Sequence, residues 1–405
     1  MWLALAWRNL WRNARRTRIT VAALALGVVA IVFLETYRES TFRQVIENIT
    51  SGALGHLQIH AAGWQKSPEL ERLIAEPAQV EAQVLRALPG TKIAPRVLGY
   101  GLVGAGEQST GAAVLGIDPA REQGELHFVE ITKGKHLSGA GRREALLGVD
   151  LAEQLGIGLG GEVVLVGQAF DGSVANDRFT VVGLADAGGG ELNGSGVFLH
   201  LVDAQAFFGL GNGVHQLVLR VPGGHEDMQV PQTVLHGQLA DKSLEVLTWD
   251  QLVPELKSTM NEKRKSQAVL SYVLFLLVAL GVLNAMTMAT LERTRELGVL
   301  ASLGTRPRQI LGLILTEALL QGVLGLALGT GVALATVLAV GDISLAAFAK
   351  QDILGIRFPT TVHLVMQWHG LAQAAQIALV TMLVGSVLPA WRAARMKPAE
   401  ATRSY

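Results

Sequence analysis

Hydrophobic and polar positions segregate along this chain into four long apolar blocks and one long mixed stretch. The blocks are Ile19–Leu34, Ser266–Leu291, Ile310–Val340 (interrupted only by Glu317) and about Leu371–Ala390. A helix needs roughly 20 mostly apolar residues to cross a bilayer. The first block has 16, between Arg18 and Glu35, and Thr36 and Tyr37 extend it into the interface. The pattern predicts four transmembrane helices, over 19–37, 263–291, 310–340 and 370–391. Residues 38–262 read differently. Strand-like runs occur at His56–His60, Glu162–Gly167, Arg178–Ala185 and His215–Val221. Helical patterns occur at Pro68–Leu88, at Val149–Gly156 and over Ser243–Gln267, the last leading into the second span. Glycine-rich turn signals (DGSVAND, GGGELNGSG, GLGNG) separate them. The predicted fold class is an α-helical membrane protein with four transmembrane helices plus a large α/β extracytoplasmic domain between helices 1 and 2.

Charge orients this scheme. Only 17% of residues are charged, against about 25% in ordinary soluble domains. Residues 1–18 hold five arginines and no acid, and residues 292–309 hold four arginines and two glutamates. Residues 392–405 hold Arg392, Arg395, Lys397 and Arg403 against Glu400, whereas the 341–369 loop is balanced. Positive charge concentrates on the cytoplasmic side, so both termini and residues 292–309 are expected there. The acid-rich stretch 38–262 is then outside, periplasmic in an inner-membrane protein. The first block reads as a retained anchor, because ETYRESTFRQ follows it without an A-x-A-like cleavage site. Zero net charge argues against a general nucleic-acid binder, and the absence of cysteine excludes disulfides and thiolate metal sites.

Candidate chemistry is sparse. His56 and His60 would share one face of a strand, and read as an ordinary surface pair rather than metal ligands. GIGLGGEV (Gly156–Val163) lacks the Lys-Ser/Thr of a phosphate loop and precedes a strand, so it reads as a turn. Neither GxxxxGK[ST] nor G-x-S-x-G occurs. The expectation is no catalytic, metal or cofactor site in this chain.

The informative segment is LERTRELGVLASLGTRPRQI, Leu291–Ile310, a short charged surfacing between two apolar blocks. Glu292 and Glu296 stand at i,i+4, and Arg293 and Glu296 at i,i+3. Gly298 and Gly304 bracket VLASL, so a short helix would present VLASL to a groove on a partner and the charges to its rim. The plain alternative is a solvated connector that obeys the positive-inside rule. E-R-T-R-E-L-G-V-L-A-S-L-G closely resembles the E-x-R-x-E-[IFL]-G-x-x-[RK]-A-[LIV]-G segment of the FtsX/MacB/LolCE permease superfamily, the membrane subunits of mechanotransmission (type VII) ABC transporters. The matching positions are Glu292, Arg295, Glu296, Gly298 and Gly304; Ala301 replaces a usual basic residue and Ser302 a usual alanine. LAWRNLWRNARRTRITVAALALGV resembles the family's amphipathic elbow helix, with Trp2, Leu3, Leu10 and Trp11 expected in the membrane interface. PAWRAARMKPAEATR resembles its exit after the fourth span, at Pro389, Ala390, Ala393, Pro398 and Ala401. REALLGVDLAEQLGIGLGGEVVLV and FDGSVANDRFTVVGL look like the lipoprotein-releasing branch, LolC/LolE.

The resemblance implies a permease subunit with Glu292, Arg293, Arg295, Glu296, Gly298 and Gly304 in an ATPase-coupling helix. ATP and Mg would sit on a separate ATP-binding cassette subunit, since no Walker motif is present here. It implies a second permease, identical or related, and a periplasmic chaperone or adaptor. The cargo implied is a lipoprotein moved toward the outer membrane, its acyl chains against Val29, Phe33, Leu34, Tyr272 and Phe275. Glu317 matches an intramembrane acid of the family and is expected near an arginine at the cytoplasmic end of its span. Glycines 322, 325, 329 and 331 should give span three a small-residue packing face. The alternatives are MacB-like export of peptides or drugs from the periplasm, FtsX-like activation of a cell-wall hydrolase without cargo, and a membrane sensor or scaffold. The topology has a direct measure in a chain without native cysteine. With the outer membrane permeabilised, an impermeant maleimide should label Ser173→Cys and spare Ser302→Cys; the reverse pattern overturns the orientation.

Overall fold

The computed structural model describes residues 2–12, 14–52, 54–122, 126–187, 191–224, 228–239, 241, 243–344, 352–353, 356–357, 361–366 and 368–395. In chain order its helices are α1 (Trp2–Arg12), α2 (Ala14–Ser51), α3 (Pro77–Ala87), α4 (Val149–Gln154), α5 (Glu191–Ser195), α6 (Leu201–Phe208), α7 (Gln229–Gln238), α8 (Trp249–Leu252), α9 (Pro254–Glu292), α10 (Thr294–Ser302), α11 (Pro307–Val340) and α12 (Trp368–Ala394). The strands treated below are β1 (Leu57–Ala61), β2 (Lys92–Ala105), β3 (Gln108–Ile117), β4 (Glu130–Gly134), β5 (Glu144–Gly148), β6 (Glu162–Gln168), β7 (Val174–Asp186), β8 (Gly196–His200), β9 (Gln216–Arg220) and β10 (Leu244–Thr248). The chain divides into two units, one of Met1–Phe42, Met260–Ser344 and Thr361–Tyr405, the other of Arg43–Thr259 and Leu345–Thr360.

In the first unit α2, α9, α11 and residues Gly370–Ala394 of α12 are long and apolar enough to cross a membrane. The 38 and 39 residues of α2 and α9 make helices about 57 and 58 Å long at 1.5 Å per residue, well beyond a hydrocarbon core of about 30 Å. Their shared core joins Leu24, Val28 and Val32 of α2 to Val282 and Met286 of α9, Ala318 and Ala333 of α11, and Ala378 and Met382 of α12. Glycines let the helices approach this closely. A Cβ on Gly329 would lie 2.7 Å from Val28 Cβ and 2.8 Å from the Ala25 carbonyl, and one on Gly325 would run into Leu24. Gly322 abuts Met382 in the same way. Gly331, expected in this set, meets nothing within 4 Å: two residues beyond Gly329, it falls on the opposite side of the helix. Residues 396–405, with the exit positions Pro398 and Ala401, lie outside the described residues.

The second unit is built on one mixed sheet in the order β10-β1-β9-β2-β3-β8-β5-β7-β4, with β6 pairing both β2 and β7. That double pairing closes a ring β2-β3-β8-β5-β7-β6. The 14 residues of β2 allow it: Lys92–Arg96 pair with β9 and Gly101–Gly104 with β6. The pairs β3–β8 and β5–β7 are parallel and the other pairs in the ring antiparallel. Val103, Val163, Leu165, Phe179, Val181, Leu147 and Val197 are buried in its core, as alternation along barrel strands requires.

Three expectations change here. The helix expected over 68–88 starts only at Pro77, which takes the N1 position that suits a residue without an N–H; Ile74 instead bridges Val214. Leu244–Thr248, expected as helix, is a strand paired with β1, and the helix into the membrane begins at Pro254. His56 and His60 are not a surface pair: each is 1% exposed, because β1 lies between β10 and β9 rather than at an edge. His60 and His215 each stack on Trp64, with ring centroids 6.3 and 4.7 Å away. Burial pushes His60 down to about 4, so its ring is neutral.

The outer end of α2 is pinned to this sheet. Arg96 and Glu122 form a fully buried bidentate pair, with Nε–Oε1 at 2.6 Å and Nη2–Oε2 at 2.9 Å. Arg96 Nη2 also donates to the Gly52 carbonyl at 3.2 Å. The His127 N–H donates to the Ser51 carbonyl at 2.9 Å, and Arg220 pairs with Glu47. The glycine geometry in the first unit sets a test. Gly329→Leu should cost roughly 1–3 kcal/mol by overpacking and lower the thermal midpoint in detergent, whereas Gly331→Leu should leave it unchanged. Equal midpoints for the two variants would remove the close α2–α11 approach.

Candidate functional site

The segment Glu292–Arg306 folds as its residues direct. The chain leaves α9 at Glu292, and α10 runs nine residues to Ser302. Gly304 closes it at φ +92°, with Gly304 N–H to Ala301 O and Thr305 N–H to Leu300 O, each 3.1 Å. A residue with a Cβ is strained in that conformation, so the glycine sets the turn. Pro307 then opens α11 at its first position, while the Arg306 N–H donates to Gln309 Oε1 at 2.9 Å.

The helix has two faces. Leu297 and Gly298 are buried, and with Leu300 and Ala301 this side packs on Ile310, Ile314, Ala390 and Ala393. Arg295, Glu296, Val299, Ser302 and Leu303 are exposed and fall on one arc at 100° per residue. Val299 is 45% exposed and Leu303 78%. VLASL was expected to face a partner as a block. Instead Leu300 and Ala301 turn inward with Gly298, and the outward apolar contribution comes from Val299 and Leu303 alone.

The charges are tied to one another. Glu317, the one acid in the four apolar blocks of the sequence, accepts from Arg293 Nη1 at 2.9 and 3.1 Å and from Asn9 Nδ2 at 2.6 Å. Arg293 is only 14% exposed. It also reaches Glu296, its Nε 3.2 Å from Oε2. Glu296 pairs with Arg12, and Glu292 with Arg16. Burial alone would raise the Glu296 carboxyl, but hydrogen bonds from Arg12 and Arg293 and their charges hold it below the usual carboxylate range. Both glutamates, expected to be available at a docking rim, are thus already engaged within the chain, while Arg295 has no ion pair among the described residues.

Other expected positions scatter. In α1, Leu3 and Trp11 are 65% and 56% exposed, as a lipid-facing side requires, but Leu10 is 3% exposed and packs inward; the Trp2 side chain lies outside the described residues. Val29, Phe33 and Leu34 are half-buried and Tyr272 is 73% exposed; the Phe275 side chain lies outside the described residues. Asn9, Arg12 and Arg16 were missed as partners of the 292–317 region. Their excess of positive charge was visible, but a contact spanning about 280 positions has no local signature. No group of three or more His, Asp or Glu is placed to hold a metal among the described residues.

Two family models cover this architecture. The MacB-like periplasmic core domain matches residues 17–231, more than half the chain, and the FtsX-like permease C-terminal domain matches residues 268–398. The chain belongs to the FtsX/MacB/LolCE permease superfamily. The permease is 25% identical over 431 residues to the pyoverdine export ATP-binding/permease protein PvdT of Pseudomonas fluorescens strain Pf-5, covering 98% of this chain and 58% of that protein. It is 26% identical to the macrolide export ATP-binding/permease protein MacB of Rhodospirillum rubrum, covering 98% and 59%. With the lipoprotein-releasing system transmembrane protein LolC of Neisseria meningitidis it shares 22% identity, covering 96% and 94%. The chain thus spans under two thirds of the length of the two exporters. Among solved structures it is similar to the periplasmic region of MacB from Actinobacillus actinomycetemcomitans, at 13% identity and TM-score 0.38, covering 53% of this chain and 97% of that one.

The inner ion pair yields a stability test. Glu317→Leu strands a buried guanidinium and should cost roughly 3–5 kcal/mol, read as a lower thermal midpoint of the permease in detergent. Adding Arg293→Leu should recover most of the loss. Additive losses in the double variant would mean that the two side chains do not interact.

Proposed function

We propose that this permease docks a separate ATP-binding cassette subunit on the outward face of α10 and converts its ATP hydrolysis into movement of the periplasmic domain. The observation that carries the reading is that face itself: Arg295, Val299, Ser302 and Leu303 stand exposed on a helix whose other side is buried. It pairs two apolar side chains with a cation, a surface suited to an apolar groove with an acidic rim. The family match supports a second permease in the working unit, identical or related. With the arginine-rich ends on the cytoplasmic side, the ATPases act there. The cargo we propose is a lipoprotein leaving the outer leaflet of the inner membrane. It is supported by the end-to-end match with the Neisseria LolC protein, over 96% of this chain and 94% of that one. A second reading, export of a periplasmic peptide, siderophore or drug, is favoured by the higher identities to PvdT and MacB, 25% and 26%.

The docking surface is tested by Val299→Glu/Leu303→Glu. The double variant should lose about tenfold or more of copurified ATPase, since truncation of interface anchors commonly costs above 1 kcal/mol, while its elution in detergent is unchanged. Full copurification would move the joint elsewhere. In proteoliposomes, stimulation of ATP hydrolysis by a triacylated lipoprotein but not by a siderophore or macrolide supports lipoprotein release; the opposite selectivity supports export.

A further inference from the structure

Polar side chains on a membrane helix are costly unless something satisfies them. Gln373 and Gln376 are exposed on α12, within its apolar span. Across from them on α9 stand Ser271 and Tyr272, and between the two helices lies a cavity of about 310 Å³. That is the lower end of the size of small-molecule sites, roughly 300–1,000 Å³. Ala268, Ile377 and Val380 complete the wall, and no lining residue is charged. None of the four polar side chains has a hydrogen-bond partner among the described residues.

Their depth is set by the sequence. Trp368 opens α12 at 84% exposure, as an interfacial aromatic would. Gln373 and Gln376 follow five and eight residues later, about 7.5 and 12 Å along the axis. On α9 the last charge before the apolar run is Lys265; Ser271 and Tyr272 follow six and seven residues on, about 9 and 10 Å. Each interfacial layer is about 5–8 Å thick, so both sets lie at or just beneath the boundary with the hydrocarbon. Acyl carbonyls of a diacyl lipid occupy that level. They only accept hydrogen bonds, and glutamine amides and hydroxyls supply donors. The absence of charge in the wall leaves no group for a phosphate.

We infer that the groove between α9 and α12 binds an ester-linked acyl chain of a diacyl lipid, with Gln373 and Gln376 donating to its carbonyl oxygen and the chain lying against Ile377 and Val380. The inference does not rest on the proposed cargo, since bilayer phospholipid and the diacylglyceryl end of a lipoprotein share this chemistry.

The test uses the full permease in nanodiscs containing a phospholipid with a photoreactive group on an ester-linked acyl chain. Labelling should fall on peptides containing residues 268–272 and 373–380. Each of Gln373→Leu and Gln376→Leu should lower it about fivefold, the worth of one hydrogen bond; leucine is favoured in a bilayer, so insertion is kept. An ether-linked analogue, which lacks the carbonyl and so both bonds, should label less by a larger factor, about 25-fold. A diacylated lipopeptide that suppresses labelling identifies cargo as a second source of the same chain, and one that does not leaves bilayer lipid as the occupant; either result supports the site. Labelling unchanged in both variants, or equal for ester and ether lipids, overturns it. So does ready disulfide formation between copies carrying Gln376→Cys with no labelling of the wild type, which would assign the groove to a second copy of this chain.

Discussion

A carboxylate within an apolar helix cannot stand alone, and Glu317 organises the end of the membrane unit around that constraint. Removing it from water costs several kcal/mol unless a cation and further donors meet it. Arg293 supplies the cation and Asn9 the further donor. To bring Arg293 there, α9 must end at Glu292 and the chain must turn into α10 alongside α11. To bring Asn9, α1 must lie against α11. One acid within an apolar helix thus fixes the end of α9, the start of α10 and the seat of α1 against α11. Arg12 and Arg16 extend the arrangement to Glu296 and Glu292. Those outer pairs are half-exposed and individually worth little, so the anchoring rests on the inner pair.

These pairs change which side chains the 292–304 segment presents outward. The acids of the E-x-R-x-E pattern are occupied within the chain, which leaves the cation Arg295 and the apolar Val299 and Leu303 for an outside partner. The glycines divide as well. Gly298 is buried on the inward side of α10, and Gly304 takes a φ of +92° that strains any residue with a Cβ. A partner that met Glu296 would have to compete with Arg12 and Arg293 for its carboxylate.

Much of this was legible in the sequence, and the exceptions have physical reasons. Four apolar blocks announce four helices because runs of this length satisfy their backbone in lipid only when helical, membrane strands being about half as long. The need of Glu317 for an arginine follows from the cost of an unpaired charge. The ring of β-strands was not legible: β6 and β7 read as strands, but nothing local says that Gly101–Gly104 of β2 pairs with β6. The burial of His56 and His60 was missed because HLQIH is equally suited to an edge strand. Placing β1 between β10 and β9 depends on segments about 160 and 190 residues away. VLASL, residues 299–303, was read as one surface, although helical periodicity divides it between two.

In the second unit a buried charge pair again decides where a helix end attaches. α2 runs unbroken from Ala14 to Ser51, and the backbone at its end is held by Arg96 through Gly52 and by the His127 N–H through Ser51. Arg96 is itself fixed by a bidentate bond to Glu122 and stacks on Phe128, 4.2 Å from the ring centroid. A buried ion pair is a poor source of net stability; an apolar substitute of the same volume could pack as well. It could not donate to the Gly52 carbonyl. The pair therefore directs where the helix end attaches, onto β2, a strand shared by the closed ring and the β9-β1-β10 extension. A closed ring has no free edge along which it can yield by slipping register. Slipping the register of one pair in such a ring would require every other pair in it to slip as well.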